Sequence, residues 1–212
     1  MSNNFHYYEP KNGHGLAHDP FKAILGPRPI GWISTIATDG ILNLAPYAFF
    51  NAFSHIPPIL GFSSKGYKDT VKNIADTKEF VWNICTKPLM EAMNISCAEV
   101  LPEVDEFKLA GVTPEPSRLI SVPRVKESPV SFECRLIDIF EMKDSNQNPI
   151  DTWFVFGEVV GIHISKDSLT NGIYDTANNQ HVVRGGNTGN YFDITPAQLF
   201  NLERPKPSDF NL

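Results

Sequence analysis

Long hydrophobic runs, clustered positive charge and paired cysteines are all scarce in this 212-residue chain. No apolar stretch is long enough to cross a bilayer as a helix. The first fifteen residues, MSNNFHYYEPKNGHG, have neither the positive start nor the apolar core of a secretory signal. A net charge of −6 with no lysine- or arginine-rich run speaks against a nucleic-acid surface. The three cysteines, Cys85, Cys97 and Cys134, are far apart, form no C-x-x-C pair and are odd in number, which argues against a disulfide framework. Reduced thiols and a cytoplasmic location are the expectation. A dinucleotide-binding glycine fingerprint, a catalytic acid–base triad and internal repeats are also missing. His14 and His18 have a metal-binding spacing only if they lie on a helix, and Gly13 and Gly15 oppose one, so no metal is expected.

Aromatic residues are abundant: fifteen Phe, six Tyr and three Trp, the composition of a packed β core. Residues 1–20 form an extended lead-in, and 21–212 form one domain with a C-terminal extension. Ile30 to Thr38 is rich in β-branched residues and reads as a strand, followed by Asp39-Gly40 as a two-residue hairpin turn. The return strand, Ile41 to Ala45, is broken by Pro46. A third strand covers Pro58 to Phe62. Val71, Ile74 and Ala75 share a face and predict a helix over Lys68 to Lys78. A strand at Phe80 to Cys85 and a helix at Leu89 to Val100 follow, with a proline at the first turn of the helix. Residues 101–128 read as a loop-rich excursion across the surface, over the site. Val130–Met142 and Trp153–Ser165 are long strands expected to pair antiparallel, with Gly157 and Gly161 as bulges or points of close approach. The tail from Ser168 shows little regular signal before a capped short helix at Thr195–Phe200. Strands without β-α-β alternation predict a mainly β fold, an antiparallel barrel with a few short helices.

The chemistry-bearing residues gather in one stretch. Ser63-Ser64-Lys65-Gly66 ends the third strand, and Tyr67-Lys68-Asp69-Thr70 opens the helix. Hydroxyls, lysines and free helix N–H groups suit an anion such as a phosphate. The same residues also serve as a plain capping loop, and Tyr47-Ala48-Phe49-Phe50 also serves as barrel core. Arg28, held between Pro27 and Pro29, is either a positioned charge or a surface loop residue. His181 and Arg184, next to Gly185-Gly186 and Tyr191, read as part of a ligand lid or of a flexible connector.

Several segments together resemble the flavin reductase-like, FMN-binding split-barrel family. They are Pro27-Arg28-Pro29-Ile30 leading into Ser34-Thr35, then Asn43-Leu44-Ala45-Pro46-Tyr47-Ala48-Phe49-Phe50-Asn51, then Lys68-Asp69-Thr70-Val71-Lys72-Asn73-Ile74, and Glu79-Phe80-Val81-Trp82-Asn83. The resemblance covers about residues 20–165. It implies a Greek-key split barrel, a homodimer, and FMN near the subunit interface with NADH or NADPH as electron donor. It also implies an oxygenase or electron-transfer protein as partner. By the same resemblance Trp32, Ser34 and Thr35 lie along the isoalloxazine, and Asn43, Ala45, Tyr47, Ala48 and Phe49 supply its other contacts. Arg28 belongs to the same cofactor set, and Ser63, Ser64, Lys65, Lys68 and Thr70 hold the phosphate. His181 and Arg184 are the candidates for contact with the nicotinamide. The expected activity is hydride transfer from NAD(P)H to flavin, which needs no acid–base triad because the cofactor carries the chemistry. The alternative is a non-enzymatic FMN-binding electron carrier reduced by a protein donor, and a further option is oxidation of a small organic substrate.

Overall fold

The computed structural model describes residues 4–210; the first three residues of the expected lead-in and the last two of the tail lie outside the described residues. A short helix α1 (Phe21–Ile24) precedes the main strands β1 (Gly31–Ile36), β2 (Leu42–Tyr47), β3 (Phe50–His55), β4 (Pro58–Lys65) and β5 (Glu79–Asn83). Helix α2 (Asp69–Thr77) links β4 to β5, and α3 (Met90–Ile95) and α4 (Glu106–Ala110) follow β5. Two-residue strands β6 (Pro114–Glu115) and β7 (Arg124–Val125) pair in the connection to the long strands β8 (Val130–Lys143) and β9 (Pro149–Ile164). The tail carries two small ribbons, β10 (Leu169–Thr170) with β11 (Ile173–Tyr174) and β12 (Val182–Arg184) with β13 (Tyr191–Asp193).

Seven strands make one sheet in the order β2-β1-β5-β8-β9-β4-β3, all neighbours antiparallel. The two outermost strands, β2 and β3, are consecutive in the chain and joined only by Ala48 and Phe49. The sheet therefore curls until its ends approach, and side chains fill the gap. Tyr47 of β2 packs on Phe62 of β4 at 4.5 Å between ring centroids, and Phe50 of β3 stacks on Trp82 of β5 at 5.5 Å. The expected antiparallel, mainly β architecture is what the chain adopts.

Local chemistry explains most boundaries. Pro46 does not end β2, because β2 is an edge strand and needs no outward N–H at that position. The first hairpin turn differs from the expected two-residue one. Ala37 N–H donates to Ile41 C=O and Gly40 N–H to Ala37 C=O, so Thr38-Asp39-Gly40 is a three-residue loop. Only Gly40 takes a positive φ, +92°, as the bulge position of such a loop requires. Strand β3 was not foreseen; its residues alternate weakly because it is the other edge. Helix α3 is shorter than the expected span to Val100, and α4 arises inside the segment read as loop. Asp105 caps α4, its side chain accepting the Lys108 N–H at 3.2 Å. The β8–β9 hairpin forms as expected, with register breaks beside Gly161, opposite Gly157 and between Glu141 and Lys143 near the turn. Gly157 is a close approach: a Cβ there would meet the fully buried ring of Phe80.

Three buried clusters pack on the sheet, the smallest of them Val81 with Ile120 and Val122. Phe62, Val71, Ile74, Phe80, Cys134 and Val155 fill the barrel interior beneath α2. Trp32, Leu44, Met93, Phe107 and Val182 pack the first sheet edge against α3, α4 and the tail.

Candidate functional site

A cavity of about 410 Å³ opens where edge strand β2 meets the N-terminus of α2. Asn43, Ala45 and Tyr47 come from β2, Lys68 and Thr70 from the start of α2, Ser96 to Val100 from the chain after α3, and Glu106 from α4. This volume is within the range of small-molecule sites, roughly 300–1,000 Å³. Four segments remote in sequence meet there, and the amphipathic α2 buries Val71 and Ile74 in the barrel mouth, which fixes its first turn beside β2.

The donors at this corner are specific. Lys68 is the residue before the helix and makes no side-chain cap, and the first helical bond runs from Lys72 N–H to Lys68 C=O. The N–H groups of Asp69, Thr70 and Val71 therefore have no acceptor inside the helix. Asn43 Nδ2 donates to Thr70 Oγ1 at 2.9 Å and locks the strand to the helix. Burial pushes the Tyr47 hydroxyl above its ordinary pKa, outweighing the hydrogen bonds with Thr70 and Ser64, so it remains a neutral hydrogen-bonding group. Lys68 Nζ reaches across the rim to Glu99 Oε1 at 2.7 Å, and this bond lowers the Glu99 pKa.

Glu106 stands out among the carboxylates. Its residue is 93% buried by surface area, that is 7% exposed, and its Oε2 has no hydrogen-bond partner among the described residues. Burial pushes its carboxyl up to about 7, opposed by hydrogen bonds from its own N–H and that of Leu44. Near neutral pH a large share of it carries a proton, so it faces the cavity as a donor and not only as a charge. Sequence reading missed Glu106. The signal was present, an Asp followed by an acidic first turn, but it lay in a proline-rich stretch with no periodicity.

Only some of the residues named from the sequence meet at this cavity. Asn43, Ala45, Tyr47, Lys68 and Thr70 line the cavity together. Trp32, Ser34 and Thr35 do not: each is 0% exposed, so in this chain they present no surface to a ligand. They are internal bolts instead. Trp32 Nε1 donates to Ser96 Oγ at 3.0 Å, Ser34 Oγ donates to Pro123 C=O at 2.7 Å, and Thr35 Oγ1 accepts from Asn73 Nδ2 at 3.2 Å. Ser63, Ser64 and Lys65 continue β4 and do not form the loop before α2. Ser64 is buried and donates to Gly66 C=O at 3.0 Å, while Lys65 ends the strand exposed.

Arg28, Ala48 and Phe49 meet at the β2–β3 link. Arg28 Nε donates to Ala48 C=O at 3.1 Å, its Nη2 donates to Gly185 C=O at 3.2 Å, and its guanidinium lies 5.5 Å from the Phe49 ring centre. Its donors clamp backbone and tail. His181 and Arg184 belong to the tail as well. His181 Nε2 bonds with Tyr174 Oη at 2.6 Å, and Arg184 donates to Asn187 and Asn190 carbonyls while lying 4.7 Å over the Tyr191 ring. None of these five lines the cavity beside α2.

Comparison with known proteins agrees with this architecture. The family described as flavin reductase like domain matches residues 25–182. An uncharacterized protein of Aquifex aeolicus (strain VF5) is 45% identical over 157 residues, which is 70% of this chain and 76% of that protein. Among solved structures, nitrilotriacetate monooxygenase component B from Bacillus cereus superposes with a TM-score of 0.84 at 28% identity, covering 95% of this chain and 100% of that one. A 2-nitrobenzoate 2-nitroreductase of Pseudomonas fluorescens superposes with a TM-score of 0.74 at 28% identity, covering 90% and 93%. With the family's domain spanning most of its length and the split barrel as its fold, this chain belongs to the flavin reductase-like family.

Proposed function

We propose that the protein binds FMN and passes electrons to it from NADH or NADPH. The observation that carries this reading is the corner between β2 and α2: free helix N–H groups, Lys68, Thr70 and Asn43 around a cavity of small-molecule size, on a chain of this family.

The residues fit an anionic, partly planar cofactor. The helix N-terminus and Lys68 suit a phosphate. Tyr47, Ala45 and Pro46 give an apolar strand edge for a flat ring. Glu99 holds Lys68 at the rim, so an incoming anion competes with that carboxylate for the ammonium. Asp69 disfavours an anion, and a protonated Glu106 adds a donor where an ionised one would add repulsion. FMN, when bound, supplies the acceptor for a hydride from the nicotinamide. The protein's own part is positioning: Asn43 and Thr70 fix the spacing of strand and helix, and Tyr47 offers a neutral hydroxyl at the cavity wall.

A homodimer belongs to the same reading. Phe53, Phe140, Phe154 and Phe156 cluster on the outward face of β3, β8 and β9, with ring centroids 4.6–6.2 Å apart. Phe53 and Phe140 are 54% and 42% exposed, an apolar patch suited to a second subunit. The nitrilotriacetate monooxygenase component is named as one part of an oxygenase system, which supports an oxygenase as the consumer of electrons here. The second reading is an electron carrier reduced by another protein.

Absorbance of the protein mixed with FMN, followed under anaerobic conditions on addition of NADH or NADPH, separates the two. Bleaching of the flavin band by either nucleotide is expected. A bound flavin that stays oxidised with both nucleotides but is reduced by a protein donor establishes the carrier reading instead.

A further inference from the structure

A second cavity, of about 660 Å³, lies on the other side of the sheet, between the segment 118–129 and the end of β9. It shares no lining residue with the cavity beside α2. One wall is cationic, with Arg118, Arg124 and Lys126, on a chain whose net charge is −6. The lining also carries the apolar side chains Leu119, Ile162 and Ile164, at 54%, 53% and 41% exposure.

Among the described residues, Glu115 is the one carboxylate paired with that cationic wall, through Arg124. Glu133 lines the cavity and is fully buried, but its oxygens are committed. They accept from the Arg118 and Leu119 backbone N–H groups at 2.7 Å each and bond to His163 Nε2. Arg124 reaches only Glu115, at 3.5 Å. Arg118 and Lys126 form no ion pair among the described residues. Arg124 Nε is buried with no hydrogen-bond partner among those residues. A buried donor left unpaired costs stability, and guanidinium groups pair best with carboxylate or phosphate oxygens. Two cations without ion-pair partners, Arg118 and Lys126, beside an arginine whose buried Nε is unpaired, together with an apolar lining, describe a ligand with an acidic head and an apolar body.

We propose that this cavity binds a small organic anion, its acidic group held by Arg118, Arg124 and Lys126 and its apolar part resting on Leu119, Ile162 and Ile164. The site is separate from the proposed flavin site and does not depend on it.

Calorimetric titration of the FMN-saturated protein with phenyl phosphate tests this, with inorganic phosphate and phenol as the two halves of the probe. Saturable one-to-one binding is expected, about tenfold tighter for phenyl phosphate than for either half. Arg118→Ala with Lys126→Ala removes two exposed side chains and should weaken binding by about tenfold or more, leaving flavin content unchanged. Arg124→Lys keeps the charge but loses the Nε donor and should also weaken it. The same affinity is expected on flavin-free protein, so failure of FMN binding leaves this titration readable. Absence of saturable binding, equal binding by the Arg118/Lys126 double variant, or displacement of FMN by the probe overturns the proposal.

Discussion

Asn43 on the edge strand donates its amide to the Thr70 hydroxyl at 2.9 Å, and this one bond joins β2 to the first turn of α2 across 27 positions of sequence. Both residues are buried, at 6% and 1% exposure. The cavity at this corner exists because strand and helix are held at that distance.

Thr70→Val keeps the shape and removes the acceptor. It leaves the Asn43 amide unpaired and should destabilise the fold by about 1–3 kcal/mol in urea unfolding. Asn43→Ala in the Thr70→Val background should cost less than Asn43→Ala alone, because the shared bond is already gone. Additive losses would show that the bond contributes nothing to stability.

Lys68 is the cation at the α2 end of the cavity, and Glu99 occupies it at 2.7 Å. Lys68→Ala should weaken FMN binding by about 1.5–3 kcal/mol, the range of a charged hydrogen bond. Glu99→Gln frees the ammonium and should tighten it. Lys65→Ala should change nothing, since Lys65 ends β4 outside the cavity. Fluorescence quenching of FMN on titration reads all three. An affinity loss in Lys65→Ala matching that of Lys68→Ala would move the phosphate to the end of β4.

Glu106 predicts a pH dependence of stability. Its carboxyl is raised in the folded protein from 4.5 to about 7, with burial the largest cause. Between those values the native state holds more proton than the unfolded chain, so stability falls as pH rises through the window. The contribution is complete below pH 4.5 and gone above about 7. Glu106→Gln keeps the neutral form at every pH. It should be more stable than the parent at pH 8, with the advantage shrinking toward pH 5. Parallel melting-temperature profiles for the two proteins would remove Glu106 as the titrating group.

Gly157 touches the ring of Phe80, which is fully buried in the barrel interior. Gly157→Ala places a methyl group inside that ring's volume. Phe80 packs edge-on against Phe62 at 6.0 Å and has no free direction to move. Overpacking of this kind costs about 1–3 kcal/mol, and thermal unfolding should show it. Gly157→Ala combined with Phe80→Leu should recover part of the loss.

Much of the candidate site was legible as residue types and as resemblance, yet which of the named residues stay outside the cavity was not. Lys68-Asp69-Thr70 was readable as a helix start because Val71, Ile74 and Ala75 repeat with helical period and a turn precedes them. Asn43, Ala45 and Tyr47 were readable from the resemblance, and the cavity joins them to Lys68 and Thr70. Ser34 and Thr35 carry the same hydroxyls as a ligand-binding strand, and nothing local distinguishes that use from an internal hydrogen bond. Their enclosure depends on Pro123 and Asn73, which lie 89 and 38 positions away.

The amino-acid order alone set most of the long strands, helix α2 and the antiparallel hairpin of β8 and β9, because period, proline, glycine and β-branching act within a few residues of one another. It also set the absence of cysteine pairs and of basic runs. Curling of the sheet was a tertiary decision, since it rests on Tyr47 meeting Phe62 and Phe50 meeting Trp82 across the open ends. So was the charge state of Glu106, because burial and not neighbouring sequence raises its carboxyl. Local pattern specifies what each segment can form, and only the folded chain specifies which polar groups lose their water.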